Sequence, residues 1–254
     1  MVYFVGAGSG AVDLITLRGD RLLREAGQVI WAGSLVNPEL LKVCRPDCII
    51  RDSAVMTLEE VVTAMEEGET TGLMTVRLHT GDSSIYGAIR EQMDALDARG
   101  IPYEVVPGVS SFCGAAAALK AEYTLPGVSQ TVIITRLAGR TPMPPGEDMQ
   151  SLAAHGASMV IFLSSGMLEK LQGELLAGGY SADTPAAIVY KATWPEEKIM
   201  RCTVGTLAKT GAENAISRTA LVTVGGFLGD NYDRSLLYHP DFTTGYRKGT
   251  DHAD

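Results

Sequence analysis

The amino-acid sequence predicts an α/β fold in two domains, and three observations carry that reading. Short apolar runs alternate with amphipathic helical patterns along most of the chain, as strand–loop–helix units do. Three glycine-rich segments each stand where an apolar run meets a helical one. They are Val5-Gly6-Ala7-Gly8-Ser9-Gly10, Thr80-Gly81-Asp82-Ser83-Ser84-Ile85-Tyr86-Gly87 and Pro107-Gly108-Val109-Ser110-Ser111. Past Lys120–Leu125 the pattern changes, with a Pro/Gly-rich loop and an alternating, hairpin-like arm. The 254 residues suffice for one large core or two small ones.

Val2-Tyr3-Phe4-Val5 reads as the first strand, and Thr16 as the N-cap of a helix over Leu17 to Ala26. Val29-Ile30-Trp31 and Cys48-Ile49-Ile50 are the next strands. Thr57 followed by Glu60 forms a capping box that opens a helix reaching about Glu67. Leu73 to Leu78 is the fourth strand and feeds the second glycine segment. After it, Ile85, Ile89, Met93 and Leu96 share one helical face, and Gly100 closes that helix. Tyr103 to Val106 is the fifth strand, leading to Pro107-Gly108 and an Ala-rich helix.

In the second half, strands are expected at Thr131–Thr135, Met159–Leu163, Ala186–Tyr190, Lys198–Cys202 and Leu221–Val224. Helices are expected near Glu147–Ala154 and Met167–Ala177. The domain reading is 1–120 for an N-terminal α/β domain and 121–237 for a C-terminal one. Residues 238–254 are polar and aperiodic, as a loose tail would be.

The net charge of −9 argues against a broad nucleic-acid footprint, because that needs clustered Lys and Arg. No basic stretch precedes the first apolar run, and the first cation is Arg18, which is unlike a secretory signal. The apolar stretch Phe112 to Leu119 is too short to cross a bilayer. A soluble cytoplasmic protein without a membrane partner is expected. Cys44, Cys48, Cys113 and Cys202 are scattered, as are His79, His155, His239 and His252, so no metal site is expected.

Gly6-Ala7-Gly8-Ser9-Gly10-Ala11 matches the variant dinucleotide fingerprint G-x-G-x-x-A, which requires a helix to begin inside the glycines. Here Asp13-Leu14-Ile15 intervenes before the Thr16 cap. The second strand ends Trp31-Ala32-Gly33-Ser34, with no carboxylate for a ribose. Nicotinamide chemistry is therefore disfavoured against a turn cluster that binds nothing. Glycine loops on the carboxyl edge of a parallel sheet nevertheless make a nucleotide-like ligand the leading hypothesis.

Taken together, these segments resemble the tetrapyrrole methylases, S-adenosylmethionine-dependent enzymes of cobalamin and sirohaem synthesis. The resemblance rests on Val5-Gly6-Ala7-Gly8-Ser9-Gly10 with Ile15-Thr16, on Gly81-Asp82, and on Val106-Pro107-Gly108-Val109-Ser110-Ser111. It extends to Ala187-Ile188-Val189-Tyr190 with Gly205-Thr206-Leu207. Longer stretches look like the branch that methylates carbon 11 of precorrin-4: residues 32–41, Arg77–Asp82, Leu125–Thr131 and Ala192–Lys198. Three family prolines or Asp-Pro pairs are replaced, by Ser9, by Ala11-Val12 and by Ser83, and such losses imply less rigid loops.

The resemblance implies the two-domain tetrapyrrole methylase fold, with a mostly parallel N-terminal sheet and a mixed C-terminal one. It implies S-adenosylmethionine folded between two domains, with contacts at Ser9, Thr80, Gly81, Asp82, Ile85, Ser110, Ser111, Leu163 and Ala192. It implies precorrin-4, metal-free or cobalt-loaded, as substrate, and a homodimer. The macrocycle's carboxylate arms call for cations, and Arg136, Arg140, Lys191 and Lys198 are the candidates, with Arg201 beside them. Asp82 has two open readings, cofactor contact and helix N-cap. The sequence names no general base, and a carrier that binds the cofactor or a tetrapyrrole without catalysis stays a separate alternative.

Overall fold

A computed structural model describes residues 1–250, so the last four residues of the expected tail, His252 among them, lie outside the described residues. The chain forms two compact units. One comprises residues 1–118 and 190–198, the other 119–189 and, of the described residues, 199–250.

The first unit is built on strands β1 (Val2–Gly6), β2 (Gln28–Trp31), β3 (Ile49–Asp52), β4 (Thr75–His79) and β5 (Tyr103–Val106). They lie in the order β3-β2-β4-β1-β5, and the pairs run parallel, with Gly6 opposite His79 and Val5 opposite Val106. A parallel sheet is covered on both faces, which is why its strands are nearly continuous apolar runs. On one face, Val5, Val29, Val76 and Leu78 pack with Leu22, Leu23 and Ala26. Leu22 and Leu23 come from α1 (Leu17–Glu25) and Ala26 is its C-cap; Thr16 caps the other end, its hydroxyl accepting from Gly19 N–H. On the other face, Phe4 and Ile30 pack with Val61, Ala64, Met65 and Leu96. They belong to α2 (Leu58–Thr70), opened by the Thr57/Glu60 capping box, and α3 (Arg90–Asp97). Helix α4 (Ser111–Leu119) follows β5.

The second unit holds a mixed sheet of β6 (Val132–Arg136), β7 (Ser158–Phe162), β8 (Pro185–Tyr190), β9 (Lys198–Thr203) and β10 (Ala220–Val224). The order is β6-β7-β10-β8-β9, with β6 parallel and β10 antiparallel to β7. Helices α5 (Met149–Ala153), α6 (Leu168–Ala177) and α7 (Leu207–Glu213) complete it.

Three expectations are corrected here. The helix after the second glycine segment starts at Arg90, so Ile85 lies in the loop. Tyr86 (φ 55°) and Ala88 (φ 49°) are left-handed and interrupt the helical path. Helix α7 has no counterpart in the sequence reading. Tyr190–Lys198, assigned above to the C-terminal domain, groups with the first unit. The tail up to residue 250 is tied to itself: the Arg247 guanidinium donates to the carbonyls of Leu237 (3.0 Å), His239 (2.7 Å) and Phe242 (3.4 Å).

Candidate cofactor site

The connection from β1 leads to β2, beyond β4, while that from β4 leads to β5, beyond β1. Two adjacent strands thus send their chains in opposite directions, which opens a crevice at their carboxyl ends. The glycine loops meet there. Gly81 N–H donates to Gly8 O at 3.0 Å and Gly8 N–H to Gly81 O at 3.3 Å. The third loop closes on both: a Cβ on Gly6 would come within 2.6 Å of Gly81 O and Gly108 Cα, and one on Gly108 would collide with Gly81 O. Only glycine permits this approach.

Asp82 stitches the second loop to the third. Its Oδ2 accepts from Gly108 N–H at 2.7 Å, and its Oδ1 from Ser84 N–H at 2.9 Å and from the Ser84 hydroxyl. Burial pushes the carboxyl up, but the Ser84 and Gly108 hydrogen bonds outweigh it and the net shift is downward. The carboxylate is an Asx-turn cap in a loop, not the N-cap of α3. Thr80 is exposed, and its hydroxyl donates to Leu35 O at 3.4 Å. Ser110 is buried and its carbonyl accepts from Cys113 and Gly114 N–H; Ser111 and Ile85 are half-buried. The first loop is also pinned. Asn37 Nδ2 donates to Gly10 O at 2.9 Å, and Ser9 Oγ lies 3.0 Å from Thr193 Oγ1. Loss of the family prolines has therefore not left these loops unfastened.

Below the second loop sits a buried polar cluster that motif reasoning missed. Arg77 and His79 follow each other on one face of β4. Arg77 Nε donates to Gln92 Oε1 at 3.1 Å and its Nη1 to Ile30 O at 3.2 Å, and burial lowers the guanidinium to about 10. His79 lies 6.1 Å from the Phe4 ring, and its Nε2 has no hydrogen-bond partner among the described residues. Burial, with the Arg77 charge second, lowers it to about 3, so the imidazole is neutral. Ser83 Oγ, also buried, has no partner among those residues either.

The crevice fits a cationic nucleotide-like group. Thr80–Ile85 and Pro107–Ser111 contain no Lys, Arg or His, and they offer hydroxyls, carbonyls and one ionised carboxylate. The family profile "Tetrapyrrole (Corrin/Porphyrin) Methylases" matches residues 1–208. The chain belongs to the tetrapyrrole methylases.

Among tetrapyrrole methylases, the chain is 49% identical over 248 residues to the cobalt-precorrin-4 C(11)-methyltransferase of Methanocaldococcus jannaschii, covering 97% of this chain and 96% of the relative. It is 45% identical over 239 residues to the precorrin-4 C(11)-methyltransferase of Mycobacterium tuberculosis, covering 93% and 95%. The X-ray structure of a cobalt precorrin-4 methyltransferase superimposes with a TM-score of 0.88 at 45% identity, covering 90% of this chain and 96% of that one. A uroporphyrin-III C-methyl transferase from Thermus thermophilus, complexed with S-adenyl homocysteine, gives 0.76 at 25% identity, covering 89% and 92%.

Of the predicted cofactor contacts in this methylase, Ser9, Thr80, Gly81, Asp82, Ile85, Ser110, Ser111 and Ala192 fall in the first unit. Leu163 falls in the second, just past β7, left-handed (φ 52°) and 63% exposed, an unusual state for a leucine. The cations divide by partner. Arg136 is committed to its own loop, donating to the carbonyls of Leu137, Thr141 and Pro142 at 3.1–3.2 Å. Lys191 pairs with Glu196 at 3.3 Å and lies 4.9 Å from the Trp194 ring centroid. Arg201 donates to Leu119 O at 2.7 Å. Arg140 and Lys198 are exposed, with no hydrogen bond or ion pair among the described residues. Among those residues there is also no group of His, Cys, Asp or Glu able to hold a metal, and no helix long and apolar enough to cross a membrane.

Proposed function

We propose that this chain transfers a methyl group from S-adenosylmethionine to carbon 11 of precorrin-4, in cobalamin biosynthesis. The observation that carries the reading is near-full-length similarity, at 45–49% identity, to enzymes named for that reaction. The three glycine loops converging at one sheet edge support it. Relatives named for the cobalt-containing and for the metal-free substrate are both similar to the chain, so the shared chemistry is that of the macrocycle. On family analogy alone, the enzyme is a cytoplasmic homodimer.

S-adenosylmethionine supplies an electrophilic methyl on a sulfonium centre. The chain's own residues bind and orient. The Thr80, Ser110 and Ser111 hydroxyls and the backbone of Gly81 and Ala192 would hold the cofactor. Asp82 keeps two of its loops in register and contributes negative charge nearby. The absence of cations from those loops spares the sulfonium a repulsive neighbour. With the cofactor thus positioned, the protein's contribution is mainly orientation and electrostatics. Arg140 and Lys198, the two candidate cations without a partner among the described residues, are the best placed by chemistry to meet substrate carboxylates. Arg136 shapes the loop that carries Arg140.

The test is incubation of the enzyme with methyl-labelled S-adenosylmethionine and precorrin-4, with and without inserted cobalt, followed by mass spectrometry. One methyl gained at carbon 11 is expected. Cofactor binding without any label transfer would instead establish a carrier.

A further inference from the structure

Tyr190–Lys198 leaves β8, joins the first unit and returns at β9. At its centre Thr193 has φ 67°, and Lys191, two residues before, has φ 46°. A β-branched residue in the left-handed region is strained and persists only where its surroundings hold it. Thr193 is held on three sides. Its N–H donates to Glu197 Oε2 at 2.6 Å. Its Oγ1 accepts from Ala11 N–H at 3.0 Å and shares a hydrogen bond with Ser9 Oγ at 3.0 Å, in which either hydroxyl can donate. Beside this contact the first loop passes so close that a Cβ on Gly10 would come within 2.8 Å of Ala192 O and would overlap the Trp194 indole.

Ser9 and Ala192 are both positions that the family resemblance assigns to the cofactor, yet they stand 183 positions apart in the chain. Thr193 is the side chain that joins the two. We propose that Thr193 is a positioning residue: its hydroxyl sets the register between the first glycine loop and the Ala192 backbone, and so shapes the wall of the cofactor site. The strained backbone is the cost of presenting that hydroxyl, and Ser9 supplies the partner hydroxyl on the first loop. This inference rests on the cofactor reading above.

Thr193→Val is the decisive variant, because valine keeps the volume and β-branching and removes only the hydroxyl. Hydrogen exchange in the cofactor-free protein reads the latch alone. Protection of the Ala11 amide should fall in Thr193→Val and return in Thr193→Ser. Calorimetry with S-adenosylhomocysteine reads the site. Affinity should drop roughly tenfold in Thr193→Val, as expected for loss of a hydroxyl with two partners. It should stay within about twofold of wild type in Thr193→Ser. Unchanged Ala11 protection in Thr193→Val overturns the latch. Lost protection with wild-type affinity, or no recovery in Thr193→Ser, overturns the positioning role. If wild type itself binds no S-adenosylhomocysteine while its exchange pattern is as expected, the cofactor reading fails and the latch stands.

Discussion

The loop after β4 and the loop after β1 meet through the same pair of backbone hydrogen bonds, but they are secured by different means. The β4 loop carries its own fastener, Asp82, which binds Ser84 two residues on and reaches Gly108 across the next loop. The β1 loop has no such residue. It is held by Asn37, 27 residues later, and by Thr193, more than 180 residues later. The strand ends differ as well. Beyond β1 comes small, apolar Ala7, whereas β4 ends in a buried, uncharged His79 beside a buried arginine. The Asp82–Ser84 turn needs only local sequence to form, whereas Asp82 meets Gly108 across 26 residues, much as Asn37 meets Gly10 across 27. The Thr193 bonds, spanning more than 180, form only once Tyr190–Lys198 has joined the unit.

The largest effect is expected where all three loops touch. Gly108→Ala should cost about 3 kcal/mol or more, because neither Gly81 O nor the Gly6 backbone can retreat from the new methyl. Urea unfolding measures that cost, and cofactor affinity should fall with it; a near-neutral result would mean the loops can separate freely. Asp82→Ala should cost about 2 kcal/mol by releasing charge-assisted hydrogen bonds. Exchange should then rise at Gly108 and Ser84, while amides of the β1 loop other than Gly8 keep their protection. Equal loosening throughout both loops would erase the distinction drawn here.

Acid separates the two strand ends. The folded-state value of His79, about 3, lies below its ordinary 6.5. Above 6.5 both states are neutral and stability is fully present. As pH falls from 6.5 toward 3, the unfolded chain takes up a proton that the folded one refuses, so stability declines. The loss is about 2 kcal/mol at pH 5. His79→Gln should flatten that slope in chemical denaturation between pH 7 and 5, and an unaltered slope would assign it to other groups. The smallest effect is expected from Asn37→Ala, about 1 kcal/mol. It should raise exchange near Gly10 and leave Asp82 and its partners undisturbed, which two-dimensional NMR would report.

Much of the fold was legible because its signals are local. The Thr16 cap, the Thr57/Glu60 box and strands such as Tyr103–Val106 depend on neighbours within a few residues, and they stand where the pattern put them. The helix after Gly87 was misplaced because the apolar period of Ile85, Ile89 and Met93 says nothing about two left-handed residues at Tyr86 and Ala88. Arg136 read as a free cation for the same reason. Charge is visible in a sequence, but the carbonyls that occupy it are not.

By itself, then, the sequence determined the strand–loop–helix order, the glycine junctions and, through long shared motifs, the family, because each of these is written in contiguous residues. Tertiary structure alone decided that Tyr190–Lys198 joins the first unit, that Thr193 bonds to Ser9 and Ala11, and that Asp82 serves a neighbouring loop. Hydrogen bonds between distant residues leave no periodicity to read. They exist only once folding has brought a donor and an acceptor within about 3 Å.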